Sequence, residues 1–335
     1  MPRVTDPRPP LSVLDLAIVS RGRTSAEALA DTTAFARRAD ELGYARFWVA
    51  EHHNMSSVAS TSPPVLIAHI AANTSRIKVG SGGVMLPNHP PLVVAEQFAM
   101  LEALHPGRID LGIGRAPGTD QRTAAALRRS PDGLGAEDFP RHLVDLMGLL
   151  GDRRSDQGMW EHFSATPAAS GTPQIFLLGS SDYSAQLAGI LGLPFAFAHH
   201  FDMGGTTEAV DLYRSMFEPS AILDVPLTLV TASVLCADTD ERAQYLAAPG
   251  RLSMLARRTG RFQPLVPPDE ANEHPDLASA AQLRTERLVG DTDAVVAGLD
   301  DLVARTHADE IMLSTSTFAV EDRVRSLELI AERWS

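Results

Sequence analysis

Short apolar runs rich in β-branched and aromatic residues alternate along the chain with longer stretches whose apolar residues recur at helical spacing. Residues 25–42 illustrate the second kind, because Phe35, Leu42 and several alanines lie at that spacing and Gly43 then supplies a stop signal. The pattern predicts a helix after each apolar run. The runs that predict strands are residues 13–19, 47–51, 77–84, 109–114, 174–179, 195–199, 227–236 and 310–314.

Eight such strand and helix units, without a second composition regime, favour a (β/α)8 TIM barrel over a doubly wound sheet. Residues 260–280 contain four prolines and predict a long irregular insertion between strands seven and eight. Loops of this length inside a compact domain usually serve as lids or other functional elements. We expect residues 1–11 to form a flexible N-terminal arm and residues 12–335 to form one barrel domain.

Charge and composition narrow the classes of partner. The formal net charge of -13 argues against nucleic acids and anionic membranes, because a protein that binds phosphate backbones needs a positive surface. No apolar stretch has membrane-spanning length, and the first ten residues carry proline and arginine in place of a signal-peptide core. We therefore expect a cytoplasmic protein that acts on a small molecule.

Two single residues exclude further chemistry. Cys236 is the only cysteine and lies in an apolar run, which favours a buried structural thiol over a nucleophile. Lys78 is the only lysine and is not near the strand-end polar residues, so Schiff-base chemistry is not expected.

Histidines follow two of the predicted strands. Glu51, His52 and His53 come directly after strand two, and reacting groups in parallel α/β proteins collect at the carboxyl ends of strands. The triplet fits metal ligands, an acid-base pair or a structural cap. His199 and His200 end strand six, and with His52 and His53 they could form a hydrolytic metal site. Strands one and eight end without ligand residues, which favours pocket-lining or capping roles for His199 and His200.

Glycines and serines mark three further strand ends. Ser81, Gly82 and Gly83 interrupt strand three, which indicates either a bulge or the close approach of a flat ligand. Arg115 follows strand four, where it could bind a phosphate or form a surface salt bridge. Strand five ends in serines at a predicted helix N-terminus, which fits an anion site or ordinary N-caps. These residues are Gly179, Ser180, Ser181 and Ser184.

Taken together, these motifs resemble the bacterial luciferase-like flavin monooxygenases. Four segments carry the resemblance, in conserved order and over most of the chain: residues 47–53, 79–87, 106–115 and 179–194. Within that superfamily the chain is most similar to the "luciferase family oxidoreductase, group 1" type, some members of which belong to aromatic-polyketide antibiotic clusters.

The resemblance implies a two-component monooxygenase. A separate NAD(P)H-dependent reductase would supply reduced FMN, and O2 would react through a flavin C4a-hydroperoxide to oxygenate a small organic substrate. It implies that His52 is the catalytic residue, that Gly82 and Gly83 form a non-proline cis peptide beneath the flavin, and that the protein is a homodimer. The implied cofactor-binding residues are Glu51, Ser81, Gly82, Gly83, Arg115, Gly179, Ser180, Ser181 and Ser184, and the implied substrate pocket contains His53, Pro117, His199 and His200.

The chain departs from the luciferases at three positions. Gly114 stands where luciferases have a reactive cysteine, Ser180 where they have a carboxylate, and Gly118 where they have a tyrosine. A long-chain aldehyde substrate and light emission are therefore not expected. Two alternatives stay open: an F420-dependent oxidoreductase on the same fold, and a non-catalytic flavin-binding protein.

Overall fold

The structure is a computed structural model, and it describes residues 8–116, 118–128, 137–168, 171–201, 203–258, 263–283 and 285–334. Within these ranges the strands are β1 (Leu11–Asp15), β2 (Arg46–Val49), β3 (Lys78–Met85), β4 (Ile109–Gly114), β5 (Gln174–Gly179), β6 (Phe195–Phe197), β7 (Thr228–Cys236), β8 (Leu288–Gly290) and β9 (Glu310–Ser314).

Eight of these strands close a parallel barrel. Each strand from β1 to β6 pairs with the next one, β6 pairs with β7, β7 with β9, and β9 returns to β1. The short strand β8 pairs with the end of β7 outside the barrel. The predicted (β/α)8 TIM barrel is therefore confirmed, and residues 310–314 form its eighth strand.

Helices surround the barrel, and their ends follow local sequence signals. Thr24 and Glu27 form a capping box at the start of α1, and Gly43 follows that helix with a φ of 82°. Prolines occupy the first turn of α2, α3 and α5. The helices are α1 (Ser25–Glu41), α2 (Pro63–Ala72), α3 (Pro91–Leu104), α4 (Gln121–Arg128), α5 (Phe139–Leu149), α6 (Asp182–Ile190), α7 (Thr206–Ser215), α8 (Asp240–Arg258), α9 (Pro268–Glu273), α10 (Leu277–Ala281), α11 (Thr292–Thr306) and α12 (Val320–Trp334).

Successive residues of a barrel strand point to two different cores. Val13 and Phe47 belong to the large layer between the strands and the helices, whereas Leu14 and Trp48 point into the barrel. Inside, the Trp48 and Phe176 rings meet edge to face with centroids 4.9 Å apart. This burial on both faces explains why the strands read as continuous apolar runs in the sequence.

A buried ionic cluster lies at the amino ends of the barrel strands. The Arg46 guanidinium donates from Nη1 to Asp110 Oδ2 at 2.7 Å and from Nε to Glu310 Oε2 at 3.0 Å. Trp48 Nε1 donates to the same Asp110 oxygen at 3.0 Å, and Ser12 donates to Glu310. These residues come from four strands, so ion pairs and hydrogen bonds connect the strands at the amino-terminal end of the barrel. The opposite end is available for loops.

The structure refines several predicted boundaries. Strand six ends at Phe197, because residues 199–201 form a 3₁₀ turn. The insertion predicted at residues 260–280 contains α9 and α10, and residues 259–262 lie outside the described part. Residues 1–7 of the predicted arm also lie outside it, whereas Leu11 already belongs to β1. Next to it, the Pro9 carbonyl accepts a hydrogen bond from Trp334 Nε1 at 2.8 Å.

A search of the described helices finds none with the length and apolar character needed to cross a membrane.

Candidate active site

The carboxylate of Glu51 is the centre of a hydrogen-bonded group at the carboxyl ends of β2 and β3. Glu51 is fully buried, and its Oε1 accepts hydrogen bonds from His53 Nε2 at 2.8 Å and from His89 Nε2 at 2.9 Å. Asn88 Nδ2 adds a longer contact to Oε1 at 3.3 Å, and the Met85 backbone N–H donates to Oε2 at 3.0 Å. Both carboxylate oxygens are therefore used by groups of the protein.

These donors keep the carboxyl group of Glu51 ionised. Burial by itself raises the pKa of Glu51, because a charged group loses its hydration. The hydrogen bond and charge of His89 act in the opposite direction, followed by the hydrogen bonds from His53 and the Met85 N–H. Together they hold the pKa of Glu51 below its ordinary value, so Glu51 is an acceptor of hydrogen bonds at neutral pH.

Hydrogen bonding accounts better than metal binding for the geometry of this group. Ligand atoms of Glu51, His53 and His89 lie within 4.8 Å of one another, and no other such trio was found among the described His, Cys, Asp and Glu residues. Ligands of tetrahedral zinc at about 2.0–2.1 Å stand roughly 3.3 Å apart, whereas the N–O distances here are 2.8 and 2.9 Å. His199 and His200, which the metal hypothesis required, are not part of the trio.

His52 is held at the same rim by its main chain. Its backbone N–H donates to the Ser60 carbonyl at 3.1 Å, and the buried Ser60 hydroxyl donates to the Ala50 carbonyl at 2.5 Å. The loop between them is held against the segment that follows β1, since Ala59 N–H donates to Ala17 O at 2.9 Å. The His52 side chain is partly buried. Its catalytic role stays a prediction.

The glycine pair in β3 forms a bulge. The bond between Gly82 and Gly83 is cis, as the resemblance implied, and the register with β4 shifts between Ser81 and Val84. A Cβ on Gly82 would lie 2.6 Å from Leu14 Cδ1, and one on Gly83 would lie 2.8 Å from the Gly112 carbonyl oxygen. Packing inside the barrel therefore requires both glycines, whether or not a flat ligand also approaches them.

Ser81 does not present its hydroxyl to the barrel mouth. It is fully buried, and its Oγ donates to the Gly112 carbonyl at 2.9 Å, across the β3 and β4 pair. In this structure the side chain stabilises the bulge. Its predicted contact with the cofactor would need the main chain or a change of rotamer.

The loop after β4 is hydrogen-bonded to His53, and so to the group around Glu51, through Gly118. The Gly118 carbonyl accepts from the His53 N–H at 3.3 Å, and the Thr119 hydroxyl donates to the His53 carbonyl at 2.9 Å. Gly118 has a φ of 64°, and a Cβ there would lie 2.7 Å from the Glu51 carbonyl oxygen. This close approach explains why position 118 does not carry the tyrosine that luciferases have there. Pro117, predicted to line the pocket, lies outside the described residues.

Two substitutions can distinguish the steric clash of a Cβ at Gly118 from the backbone strain of its positive φ. Gly118→Ala should destabilise the protein by about 1–3 kcal/mol, because it combines positive φ with a forced shift of the Glu51 backbone. Gly107→Ala is the matched control, since Gly107 has a φ of 73° but nothing within 4 Å of its Cβ position. Urea unfolding of both variants measures the difference. Equal losses would contradict the steric clash.

Arg115 and α6 form a second group on the rim. The Arg115 guanidinium lies 4.1 Å from the Tyr183 ring centroid, in the first turn of α6. Ser181 is the N-cap residue, but its side chain makes no capping hydrogen bond. Ser184 is buried, and a Cβ on Gly179 would lie 2.2 Å from its Oγ. The structure thus brings Arg115 to the predicted serine group and explains Gly179 by packing.

The donors in this second group suit an anion. A guanidinium, free N–H groups at a helix N-terminus and serine hydroxyls all donate hydrogen bonds, and the helix dipole favours negative charge. Asp182 lies in the same first turn and opposes an anion, but it is exposed. Ser180 is partly buried at the end of β5. The set therefore fits a phosphate group.

His199 and His200 lie in the 3₁₀ turn that follows β6. His199 is buried, and its Nδ1 is 2.8 Å from the hydroxyl of Thr206, the first residue of α7. The His200 ring packs on Phe201 with centroids 4.4 Å apart. His199 therefore links the strand end to α7, and its place in a substrate pocket stays a prediction.

The sequence analysis missed His89 and Asn88 as site residues. Both follow the carboxyl end of β3 in the 3₁₀ turn and its cap, so the strand-end rule that singled out Glu51 also applied to them. Tyr183 was missed as well, because its partner Arg115 comes from another strand.

Comparison with known proteins agrees with this fold. The family model described as "Luciferase-like monooxygenase" matches residues 11–310. The chain is 43% identical over 330 residues to the "Luciferase-like monooxygenase" of Escherichia coli K12, covering 97% of each chain. It is 47% identical over 328 residues to "Uncharacterized protein YvbT" of Bacillus subtilis, covering 97% of this chain and 96% of that one.

Known structures extend the comparison. Apo-MsnO8 superimposes with a TM-score of 0.90 at 40% identity, covering 97% of this chain and 98% of the other. Two more distant structures share the fold. The oxygenating constituent of 3,6-diketocamphane monooxygenase from Pseudomonas putida, in complex with FMN, has a TM-score of 0.71 at 19% identity, covering 97% and 98%. An F420-dependent secondary alcohol dehydrogenase has a TM-score of 0.68 at 14%, covering 96% and 98%.

The family match covers most of the chain, and relatives above 40% identity span nearly its whole length. The resemblance inferred from the strand-end motifs is thereby confirmed: the chain belongs to the luciferase-like monooxygenase family.

Proposed function

We propose that the protein is a monooxygenase that uses reduced FMN, supplied by a separate NAD(P)H-dependent reductase, to oxygenate a small organic substrate with O2. One observation carries the proposal. The loop after β4 begins at Arg115, which belongs to the group of donors that suits a phosphate. At Gly118 the same loop contacts the group formed by Glu51, His53 and His89. A flavin mononucleotide has a phosphate at one end and a reactive ring at the other, so these two groups suit its two ends.

The chain's own residues would divide the work. Arg115, the N-terminus of α6 and the serines at residues 180, 181 and 184 would hold the phosphate. His52 would exchange a proton with the reacting atoms, as an imidazole can near neutral pH. Bound reduced FMN supplies two electrons, so that one oxygen atom enters the substrate and the other leaves as water.

A labelled-oxygen experiment tests this function. The protein would be mixed with FMN, NADH, a flavin reductase and a panel of polycyclic phenols of aromatic-polyketide type under ¹⁸O2. The proposal expects one ¹⁸O atom in a product, found by mass spectrometry only when protein and reduced FMN are both present. Substrate oxidation with F420 and without ¹⁸O would instead establish hydride transfer. Flavin binding with no product from any substrate or cofactor would favour a non-catalytic protein.

We also propose that the protein is a homodimer joined through α2 and α3. Val93, Met100 and Leu104 lie on one face of α3 and are 42%, 52% and 62% exposed, and Val65 of the adjacent helix α2 is 71% exposed. Exposed apolar side chains that share a face mark association surfaces. Sedimentation velocity should give twice the mass of the chain, and Met100→Glu should shift it to the mass of one chain. A wild-type monomer would contradict the dimer.

A further inference from the structure

The group around Glu51 has more fixed hydrogen bonds than a general acid or base needs. Two imidazoles, from His53 and His89, meet the same carboxylate oxygen through the same ring atom, Nε2. They come from different elements, since His53 follows β2 and His89 caps the 3₁₀ turn after β3. The carboxylate between them is fully buried, whereas the histidine side chains are 16% and 33% exposed.

An ionised carboxylate can only accept hydrogen bonds, so each of these imidazoles must present an N–H to it. In a neutral imidazole the other nitrogen then carries the lone pair. His53 Nε2 therefore bears the proton, and His53 Nδ1 is an acceptor. This assignment holds as long as Glu51 stays ionised, and the hydrogen bond from His89 is the largest of the interactions that lower the pKa of Glu51.

We propose that His89 is a positioning residue that acts through Glu51 to hold His53 in the tautomer with its proton on Nε2 and its lone pair on Nδ1. His89 does so by donating its own Nε2–H to the carboxylate. His53 thereby becomes a fixed acceptor beside His52. The role in turnover rests on the proposed function, but the tautomer itself does not.

Loss of the His89 donor would change the direction of the remaining bond. Without that donor, the buried carboxylate would keep His53 and the weaker Asn88 contact on Oε1, and the burial of its charge would be less compensated. Glu51 would then take up one proton from solvent and use it as a hydrogen-bond donor to His53 Nε2. The proton that Nε2 carried would exchange with solvent and be replaced by one on Nδ1, which gives the opposite tautomer.

The tautomer can be measured in the wild-type protein without any flavin. Two-bond ¹H–¹⁵N correlation spectra of ¹⁵N-histidine-labelled protein at pH 7.5 distinguish protonated from unprotonated ring nitrogens, and His53→Gln and His89→Gln identify the two signals. The expected result is that the neutral form of each residue carries its proton on Nε2 and none on Nδ1. A proton on Nδ1 of neutral His53 would overturn the proposal, whatever the reaction of the enzyme.

Two substitutions then test the dependence on His89. His89→Gln keeps an N–H donor, whereas His89→Leu removes it. The Leu variant should shift the His53 proton to Nδ1 and lower kcat by roughly 10- to 100-fold, the size expected for a lost hydrogen bond to a charged group. The Gln variant should keep the wild-type tautomer and recover most of the rate. FMN affinity, measured by fluorescence quenching, should change little in both.

His69→Leu is the matched control. His69 is an exposed histidine whose Nε2 likewise meets a side chain, the hydroxyl of Thr33 at 3.1 Å, but it lies on α2, away from Glu51. It should leave both the His53 signals and kcat unchanged. An unchanged His53 tautomer in His89→Leu would overturn the proposal, and so would equal losses of kcat in the Gln and Leu variants. If the Leu variant does not fold, the wild-type spectrum and the Gln variant still decide.

Discussion

Replacement of His52 by alanine is expected to lower kcat/KM for the oxygenated substrate by about 10²–10⁴, the usual contribution of a positioned acid or base. FMN binding should be nearly unchanged, because the residues proposed to bind its phosphate, Arg115 after β4 and the N-terminus of α6, do not include His52. The fold should also be retained, since His52 is anchored through its backbone N–H to Ser60, a bond that alanine keeps. Steady-state rates of ¹⁸O incorporation and flavin fluorescence titration measure the two effects.

His105→Ala is the control for this experiment. His105 is a partly buried histidine at the C-cap of α3, just before the amino end of β4 and therefore at the opposite end of the barrel. It should leave kcat/KM unchanged within about twofold. If the His52→Ala enzyme keeps more than half of the wild-type rate, His52 is not the acid or base of the reaction. His53 then becomes the next candidate.

Much of the fold could be predicted because its causes are local. Parallel strands buried on both faces leave apolar runs, and residues 109–114, 174–179 and 310–314 were predicted with the bounds that the structure shows. Less regular ends were not. Strand one stops at Asp15, and Ala17 then takes a φ of 51°, a turn that no glycine or proline marks in the sequence.

The location of the site could be predicted from the sequence, but the contacts among its residues could not. The strand-end rule found Glu51, His52, His53 and Arg115, because it depends only on where each apolar run stops. The partners of Glu51 depend on how β3 leaves the barrel, which the sequence does not reveal. Glu51 was expected to bind the cofactor, and its carboxylate accepts hydrogen bonds from His53, His89 and the Met85 N–H. Its contact with the cofactor stays a prediction.

The same distinction applies to Gly118 and Gly179. Gly118 was noted as a departure from the luciferase tyrosine and Gly179 as an implied cofactor-binding residue, and both glycines have a reason within the protein itself. Gly118 lies against the Glu51 backbone, and Gly179 lies against the Ser184 hydroxyl. A glycine required by packing of this kind cannot be told from a glycine required by a ligand until the neighbouring atoms are known.

Loss of Arg46 should strongly destabilise the protein. Arg46→Met is expected to cost about 3–5 kcal/mol of unfolding free energy, because it leaves the carboxylates of Asp110 and Glu310 buried without their cation. Methionine keeps an apolar stem but loses the guanidinium, whose Cζ lies 4.8 Å from the Phe176 ring centroid. Urea unfolding at pH 7, with an unchanged m-value, gives the difference in free energy.

The size of this loss should depend on the stranded charges and not on the missing side chain. Asp110→Asn in the Arg46→Met background should therefore restore part of the stability, since it removes one buried negative charge. Arg305→Met, which breaks an exposed pair with Asp301, should cost no more than about 1 kcal/mol. If Arg46→Met cost as little as Arg305→Met, the buried ionic cluster would not stabilise the fold, because its desolvation would already cancel its attraction.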